Sequence, residues 1–299
     1  MIQKRRNEVP TSNSSNDNDK LEYGMVRDWL REACLAVGLV ILILGGLWVA
    51  TGQFPPMVVV ESGSMMHNTE DGSLGAIDPG DLVIVMNPTR KNIITYVEAT
   101  HKENQNFGYK SHGMYGDVII YNKNGGADTP VIHRAILKVV LNHTIEDQKT
   151  WDVPGTSLVN VSSINWVLNY PCNYHGGTYN LEIKDWTPNH SGYITTGDNP
   201  NTNGCKIDQI VATGQDGRNG LKDEFGNPVT AVKDDWIMGI ASSEIPWIGS
   251  IKLLTSGTHS FVTGETWFNL SLTIFVVLLS PTILESFTNN QKSNNDEEE

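Results

Sequence analysis

The sequence predicts a mainly β domain that is anchored to a membrane by an N-terminal helix. The first observation is a set of short apolar runs, rich in Val and Ile and separated by Gly, Pro, Asn and Asp, which are typical of strands. The second is a block of 20 residues without charge at 33–52. The runs are MVVVE (57–61), DLVIVM (81–86), DVIIYN (117–122), VIHRAILKVVL (131–141), SGYITTG (191–197), DQIVATG (208–214) and DWIMGIA (235–241).

The uncharged block, ACLAVGLVILILGGLWVATG, predicts a transmembrane helix at 33–52. At about 1.5 Å per residue, a helix of this length spans the roughly 30 Å hydrocarbon core of a bilayer. The alternative is a cleaved secretory signal, whose apolar region is usually about 7–15 residues long and follows a short basic head. The block follows a longer polar tail at 1–32, which favours a permanent anchor.

Basic residues determine the expected orientation. Six Lys and Arg side chains precede the apolar block, and the next basic residue after it is Arg90. Because cytoplasmic flanks carry the excess of Lys and Arg, we predict a cell-membrane protein with a cytoplasmic tail at 1–32. The β-rich domain at 53–265 is then extracytoplasmic.

A second apolar stretch, WFNLSLTIFVVLLSPTILESF, lies near the C-terminus at 267–287. It predicts a second transmembrane helix at 266–287, followed by an acidic tail at 288–299. Several Ser, Thr and Asn residues and Pro281 interrupt its apolar character. A helix lying on the membrane surface is therefore the alternative.

Composition excludes several functional classes. The chain has 34 acidic and 21 basic residues and a formal net charge of -13. Nucleic-acid binding needs clustered Lys and Arg, so we expect no nucleic-acid partner. Because the spacing of His and Cys shows no metal-binding pattern, we expect no metal and no cofactor. For Cys172 and Cys205, a disulfide and two free thiols both remain open.

Two polar stretches interrupt the strand pattern, near 87–115 and 142–191. Both are rich in Asn, Thr, His and Gly. We interpret them as long insertions or loops with room for one extra hairpin. Sites of the Asn-x-Ser/Thr type in the second stretch, at Asn142, Asn160 and Asn189, are compatible with glycosylation.

Ser64 is a candidate nucleophile. It lies in Ser62-Gly63-Ser64-Met65, directly after the apolar run that follows the anchor. A serine beside glycine at a strand end suits nucleophilic attack, because the backbone turns there and its N–H groups can face a developing oxyanion. Since the same composition is common in ordinary loops, Ser64 needs partners elsewhere in the chain.

A serine hydroxyl needs a base, and the base needs an orienting group. Of the eight histidines, His133 alone interrupts an apolar strand, next to Arg134, and a satisfied core histidine is the alternative. Two aspartates could fix its tautomer. Asp198 lies in a Gly-Asp-Asn-Pro turn, whereas Asp208 precedes the run QIVATG and is expected to be held by a strand.

Several boxes follow one another along the chain: SGSM (62–65), PGD (79–81), GDVI (116–119), IHR (132–134), TTGDN (195–199) and IPWIG (245–249). Together with the preceding apolar anchor, and taken in this order, they resemble the type I signal peptidases. Histidine in place of the lysine of bacterial enzymes indicates the archaeal and endoplasmic-reticulum branch, and the resemblance covers roughly residues 30–250. The sequence differs from the family pattern after SGSM, where Met66 and His67 stand in place of a proline two residues on.

The resemblance implies a signal-peptidase-like β fold and a serine endopeptidase that removes signal peptides from secretory preproteins. It implies Ser64 as nucleophile, His133 as general base and Asp208 as the acid partner, with Asp198 needed nearby. The Ser64 N–H and the Ser62 hydroxyl would then form the oxyanion hole. The implied partners are preproteins, the lipid membrane and the translocation machinery, and the anchor, about a dozen residues before Ser64, would keep the site near the membrane.

Two other functions remain open from the sequence. A non-enzymatic, membrane-anchored surface domain that binds a partner would explain the anchor, the strands and the acidity. It would not explain why the Ser, His and Asp motifs occur in this order, which would then be a coincidence. A protease with a different membrane substrate, such as a pilin-like precursor or its own chain, would account for all of them.

Overall fold

A computed structural model describes residues 14–67, 72, 74–145, 148–174, 177–209 and 220–296. The chain divides into two units, Met1–Ala50 and Thr51–Glu299. The second unit is mainly β with antiparallel pairing, which confirms the predicted class. Its strands are β1 (Met57–Val59), β2 (Leu82–Met86), β3 (Lys110–Ser111), β4 (Met114–Tyr115), β5 (Val118–Tyr121), β6 (Val131–Ile145), β7 (Gln148–Asp152), β8 (Ile164–Tyr174), β9 (Gly177–Trp186), β10 (Gly192–Thr196) and β11 (Ile237–Ile245).

An N-terminal helix, α1 (Ser14–Thr51), contains the predicted span. Its segment Val26–Thr51 has a mean hydropathy of 2.6, and no residue of its apolar window is buried inside the structure, so its length and composition would allow it to cross a membrane. The helix already begins at Ser14, inside the predicted polar tail. It is the one helix among the described residues that meets this criterion.

Among the residues that the structure describes, four further α-helices belong to the second unit. They are α2 (Tyr96–Thr100), α3 (Pro200–Asn203), α4 (Ser250–Ser256) and α5 (Gly264–Asp296). The last contains the predicted C-terminal span and continues beyond it, with Pro281 inside the helix. Whether this helix crosses a membrane stays a prediction.

A seven-stranded antiparallel sheet forms the centre of the second unit. Its order is β1-β2-β11-β5-β6-β10, and β7 pairs with the far half of β6. The long strand β6 brings His133 opposite Ile119 of β5 and Arg134 opposite Thr196 of β10. The pairing of β6 with β10 therefore places the IHR and TTGDN motifs side by side.

Within the described part of the chain, three buried clusters of apolar side chains pack against the sheet. The cluster under β1 and the SGSM segment consists of Val60, Met65, Ile77, Val83, Val118 and Ala241. A second cluster lies around Ile119 and Tyr121 of β5. The third and largest packs β6 against β8, β9 and α2, with Trp151 and Tyr170 among its fully buried side chains.

The two predicted insertions have secondary structure of their own. The first contains α2, whose N-terminus is closed by a capping box between Thr95 and Glu98, and the two short strands β3 and β4. The second contains β7 and a separate two-stranded hairpin, β8–β9. The structure joins Cys172 of β8 to Cys205 in a disulfide, which settles the question that the sequence left open.

One expected strand differs in the structure. Asp208 was predicted to begin the strand DQIVATG, but Asp208 and Gln209 form a turn. Residues 210–214 of that strand lie outside the described residues. Backbone bonds hold the turn instead: the Asp208 N–H donates to Thr195 O (2.8 Å) and the Leu221 N–H donates to Asp208 O (2.8 Å).

Candidate active site

Ser64 lies in a 3-10 turn, Gly63–Met65, just after β1. The buried Met65 side chain anchors this turn in the core below it. Asn199 holds it from the other side, because its backbone N–H donates to Ser64 O (2.9 Å) and its amide to Gly63 O (2.7 Å). The turn is therefore fixed at both ends, and the Ser64 side chain lines an open groove.

The neighbouring Ser62 side chain faces the same groove. Its Oγ lies 3.3 Å from Ser64 Oγ. Among the described residues, the Ser64 hydroxyl makes its hydrogen bond with Ser62 and makes none with His133. Hydrogen bonds between catalytic groups often form only when substrate is bound, so this arrangement is compatible with a Ser–His pair.

His133 and Asp208 form a buried pair. The Nδ1 atom of His133 lies 2.7 Å from Asp208 Oδ2. Because a carboxylate can only accept hydrogen bonds, Nδ1 carries the proton and Nε2 of the neutral ring is free to accept one. The same carboxylate oxygen also accepts from the Thr195 hydroxyl (2.7 Å) and the Tyr121 hydroxyl (3.1 Å).

Gly197 lies between His133 and the turn that carries Ser64. A Cβ atom at this position would lie 2.5 Å from Ser64 O and 3.1 Å from His133 Nε2. Glycine is required here because any side chain would collide with the backbone of the turn. The Nε2 atom of His133, which is the one not bonded to Asp208, therefore lies close to the backbone of the turn that carries Ser64.

Asp198 has a different environment from Asp208. Its completely buried carboxylate accepts from Arg134 Nε (2.8 Å) and Nη2 (2.5 Å). The Tyr170 hydroxyl donates to it at 2.9 Å, and His67 Nε2 lies 3.1 Å away. Both carboxylate oxygens are thus engaged by groups other than His133.

These contacts keep Asp198 ionised. Burial alone would raise the pKa of its carboxyl group, but the charge and the hydrogen bonds of Arg134 hold that pKa well below its usual range. Arg134 also donates to the backbone oxygens of Gly116 (2.7 Å) and Ser111 (3.0 Å). The ion pair therefore ties the loop after β10 to β6 and to the first insertion.

The groove beside these groups has a volume of about 750 Å³. It runs along β1, which is an edge strand of the large sheet. Edge strands can pair with an added extended peptide, so the groove has the form of a peptide-binding site. Its lining includes Met57, Val58, Val59, Ser62, Ser64, Ile132, His133, Lys206 and Asp208.

The structure brings Ser62, Ser64, His133 and Asp208 to one groove and places Asp198 behind them. Sequence reasoning did not identify Gly197, Asn199 or Tyr170 as part of this site. Gly197 and Asn199 lie in the TTGDN motif, which could have indicated them. Nothing in the sequence around Tyr170 connects it with Asp198.

Within the described ranges, no group of three or more His, Cys, Asp or Glu side chains is placed to hold a metal ion. In comparisons with known proteins, no family model and no curated protein matches the chain. The resemblance to type I signal peptidases therefore remains a prediction that rests on the quoted motifs.

Proposed function

We propose that the protein is a membrane-bound serine endopeptidase that removes signal peptides from translocated preproteins. The observation that carries this proposal is the convergence of Ser64 and the His133–Asp208 pair on one groove beside an edge strand. A nucleophile, a base and an orienting carboxylate are the three groups that acyl transfer by serine requires. The apolar helix α1 supports attachment to a membrane.

In the proposed reaction, Ser64 Oγ attacks the carbonyl carbon of the scissile peptide bond. The Nε2 atom of His133 takes the hydroxyl proton and later gives it to the leaving amine. Water then hydrolyses the acyl-enzyme through the same base. The negative charge of Asp208 stabilises the imidazolium that forms in each step, and its bond to Nδ1 keeps the ring in the required tautomer.

Two neighbouring groups would stabilise the tetrahedral intermediate. The Ser62 hydroxyl lies next to the nucleophile and can donate to the oxyanion, together with the Ser64 N–H. An extended substrate would lie along β1 and bring its cleavage site to Ser64. We expect small side chains immediately before the cut.

The test is incubation of the purified full chain, in detergent, with a secretory preprotein, followed by N-terminal sequencing of the products. Ser64→Ala removes the nucleophile, and Ser242→Ala, an exposed serine on β11, is the matched control. We expect cleavage at the signal-peptide boundary by the wild type and the control only. An intact preprotein would favour the surface-binding function, and cleavage of other membrane substrates alone would favour the different protease.

A further inference from the structure

The β8–β9 hairpin is separate from the large sheet and from the groove. Its two strands pair with each other in a sheet of their own. None of the described residues of the second insertion lines the groove. Any influence of this hairpin on catalysis must therefore pass through side chains that contact the catalytic groups.

The first such contact is made by Tyr170 of β8. Its side chain is fully buried, and its hydroxyl donates to Asp198 Oδ1 at 2.9 Å. Burial raises the pKa of Tyr170 well above its usual value, so the hydroxyl stays protonated and remains a donor. The Tyr170 ring packs against Tyr96 of α2 with 5.1 Å between ring centroids, which fixes its position.

Asp198 lies between two residues that contact the nucleophile turn. Gly197 packs against Ser64 O, and the Asn199 N–H donates to the same oxygen. A displacement of Asp198 would therefore move both neighbours and shift Ser64 relative to His133. Shifts of about 1 Å in such geometry are enough to reduce catalysis strongly.

The second contact is the disulfide. Cys172, two residues after Tyr170, is covalently joined to Cys205 in the loop that leads to Asp208. The same loop is held to the site by Asn203, whose amide donates to Gly197 O (2.5 Å) and whose side-chain oxygen accepts from the Cys205 N–H (2.6 Å). One strand of the hairpin thus contacts Asp198 directly and is covalently joined to the loop that leads to Asp208.

We propose that the β8–β9 hairpin is a positioning element of the active site, in which Tyr170 holds Asp198 and the Cys172–Cys205 disulfide holds the loop of Asp208. This proposal rests on the proposed function. Because the hairpin does not line the groove, its loss should affect the chemical step and leave substrate binding intact. The insertion is then part of the catalytic apparatus.

The kinetic test uses Tyr170→Phe, the pair Cys172→Ala with Cys205→Ala, and Tyr115→Phe as the matched control. Tyr115 packs against Tyr96 in the same aromatic cluster. We expect Tyr170→Phe to lower kcat about tenfold with KM unchanged, because it removes one hydrogen bond to a buried charge. The double cysteine variant should show a similar fall in kcat. When it is combined with Tyr170→Phe, the fall in kcat should be smaller than the product of the two separate falls. Tyr115→Phe should have the kcat of the wild type.

A second readout does not depend on cleavage. Diethyl pyrocarbonate modifies accessible histidines, and peptide mapping gives the rate at each one. We expect His133, which is 6% exposed, to react about threefold faster or more in Tyr170→Phe and in the cysteine variant. His143, exposed on the same strand, should react at the wild-type rate in all of them.

The two readouts separate the possible failures. If the wild type cleaves no preprotein, the proposed function fails and the His133 rate alone decides the positioning role. Unchanged kcat together with an unchanged His133 rate would overturn the proposal, as would a rise in KM at constant kcat. If a variant does not fold, the wild-type disulfide is reduced and reoxidised instead. We then expect kcat to fall on reduction and to recover on reoxidation. Full activity of the folded, reduced protein would overturn the proposal.

Discussion

Replacement of the two aspartates by asparagine should separate catalysis from stability. Asp208 contacts His133 directly, whereas Asp198 contacts Arg134, Tyr170 and His67. Both changes keep the size of the side chain and remove its negative charge. We therefore expect the Asp208 variant to lose mainly activity and the Asp198 variant to lose mainly stability.

For Asp208→Asn the main effect is on the reaction. The imidazolium that forms during attack loses the carboxylate 2.7 Å from its Nδ1, and an asparagine can leave the ring in the wrong tautomer. In a Ser-His-Asp site this change lowers kcat by about 10⁴, which corresponds to about 5.4 kcal/mol of transition-state stabilisation. The folded state should lose only about 1–2 kcal/mol, because the Thr195 and Tyr121 hydroxyls can reorient.

For Asp198→Asn the main effect is on folding. Arg134 is completely buried and would keep its charge without an anionic partner. Removal of one member of a buried ion pair costs about 3–5 kcal/mol. For a domain of this size that lowers Tm by about 6–20 °C.

The assay combines preprotein cleavage with thermal unfolding of the same preparations. We expect Asp208→Asn to be folded and nearly inactive, with KM close to the wild-type value. Asp198→Asn should unfold at a clearly lower temperature and lose activity with it. A folded, stable and inactive Asp198→Asn beside an active Asp208→Asn would refute the assignment and transfer the orienting role to Asp198.

Four further outcomes are expected. Gly197→Ala should abolish cleavage, since its Cβ would lie 2.5 Å from Ser64 O, and near-normal kcat would contradict this geometry. His133→Lys should not restore activity at neutral pH, because Asp208 favours the charged amine; substantial activity would show that the polar setting is misread. The depressed pKa of Asp198 contributes stability that is fully present above about pH 4 and is lost as pH falls towards the native pKa, so in urea unfolding from pH 7 to 3 the wild type should lose more stability than Asp198→Asn. Protease digestion of sealed vesicles should spare both tails, and removal of a C-terminal epitope from outside would reject the second span.

The sequence predicts the large sheet well, because β-branched runs bounded by turn residues depend on local chemistry. Strand β6 is one such run, but its register with β10, in which Arg134 lies opposite Thr196, is seen only in the structure. Ser64 and His133 could be proposed because one follows an apolar strand and the other interrupts one, and Asp208 was added by the resemblance to the signal-peptidase motifs. Their roles stay predictions.

The residues that hold the candidate catalytic side chains in position could not be predicted in the same way. Asp208 lies in a turn, and its position depends on Thr195 and on a disulfide from a distant hairpin. The strands of that hairpin carry Asn and Tyr in a weak alternation, so the sequence does not indicate which of their side chains are buried. The burial of Tyr170 arises from packing that involves α2 and β6. Cysteine spacing alone does not determine pairing, since the chain between two cysteines can take many paths.

The most direct test of the proposed function is the site of cleavage in a preprotein with a known signal peptide. The full chain is reconstituted in vesicles and incubated with preproteins that carry Ala or Phe immediately before the expected cut, and the new N-terminus is sequenced. We predict one product that begins directly after the signal peptide, formed from the Ala substrate by the wild type and not by Ser64→Ala. No cleavage by the wild type, or equal cleavage by Ser64→Ala, would contradict the proposed function.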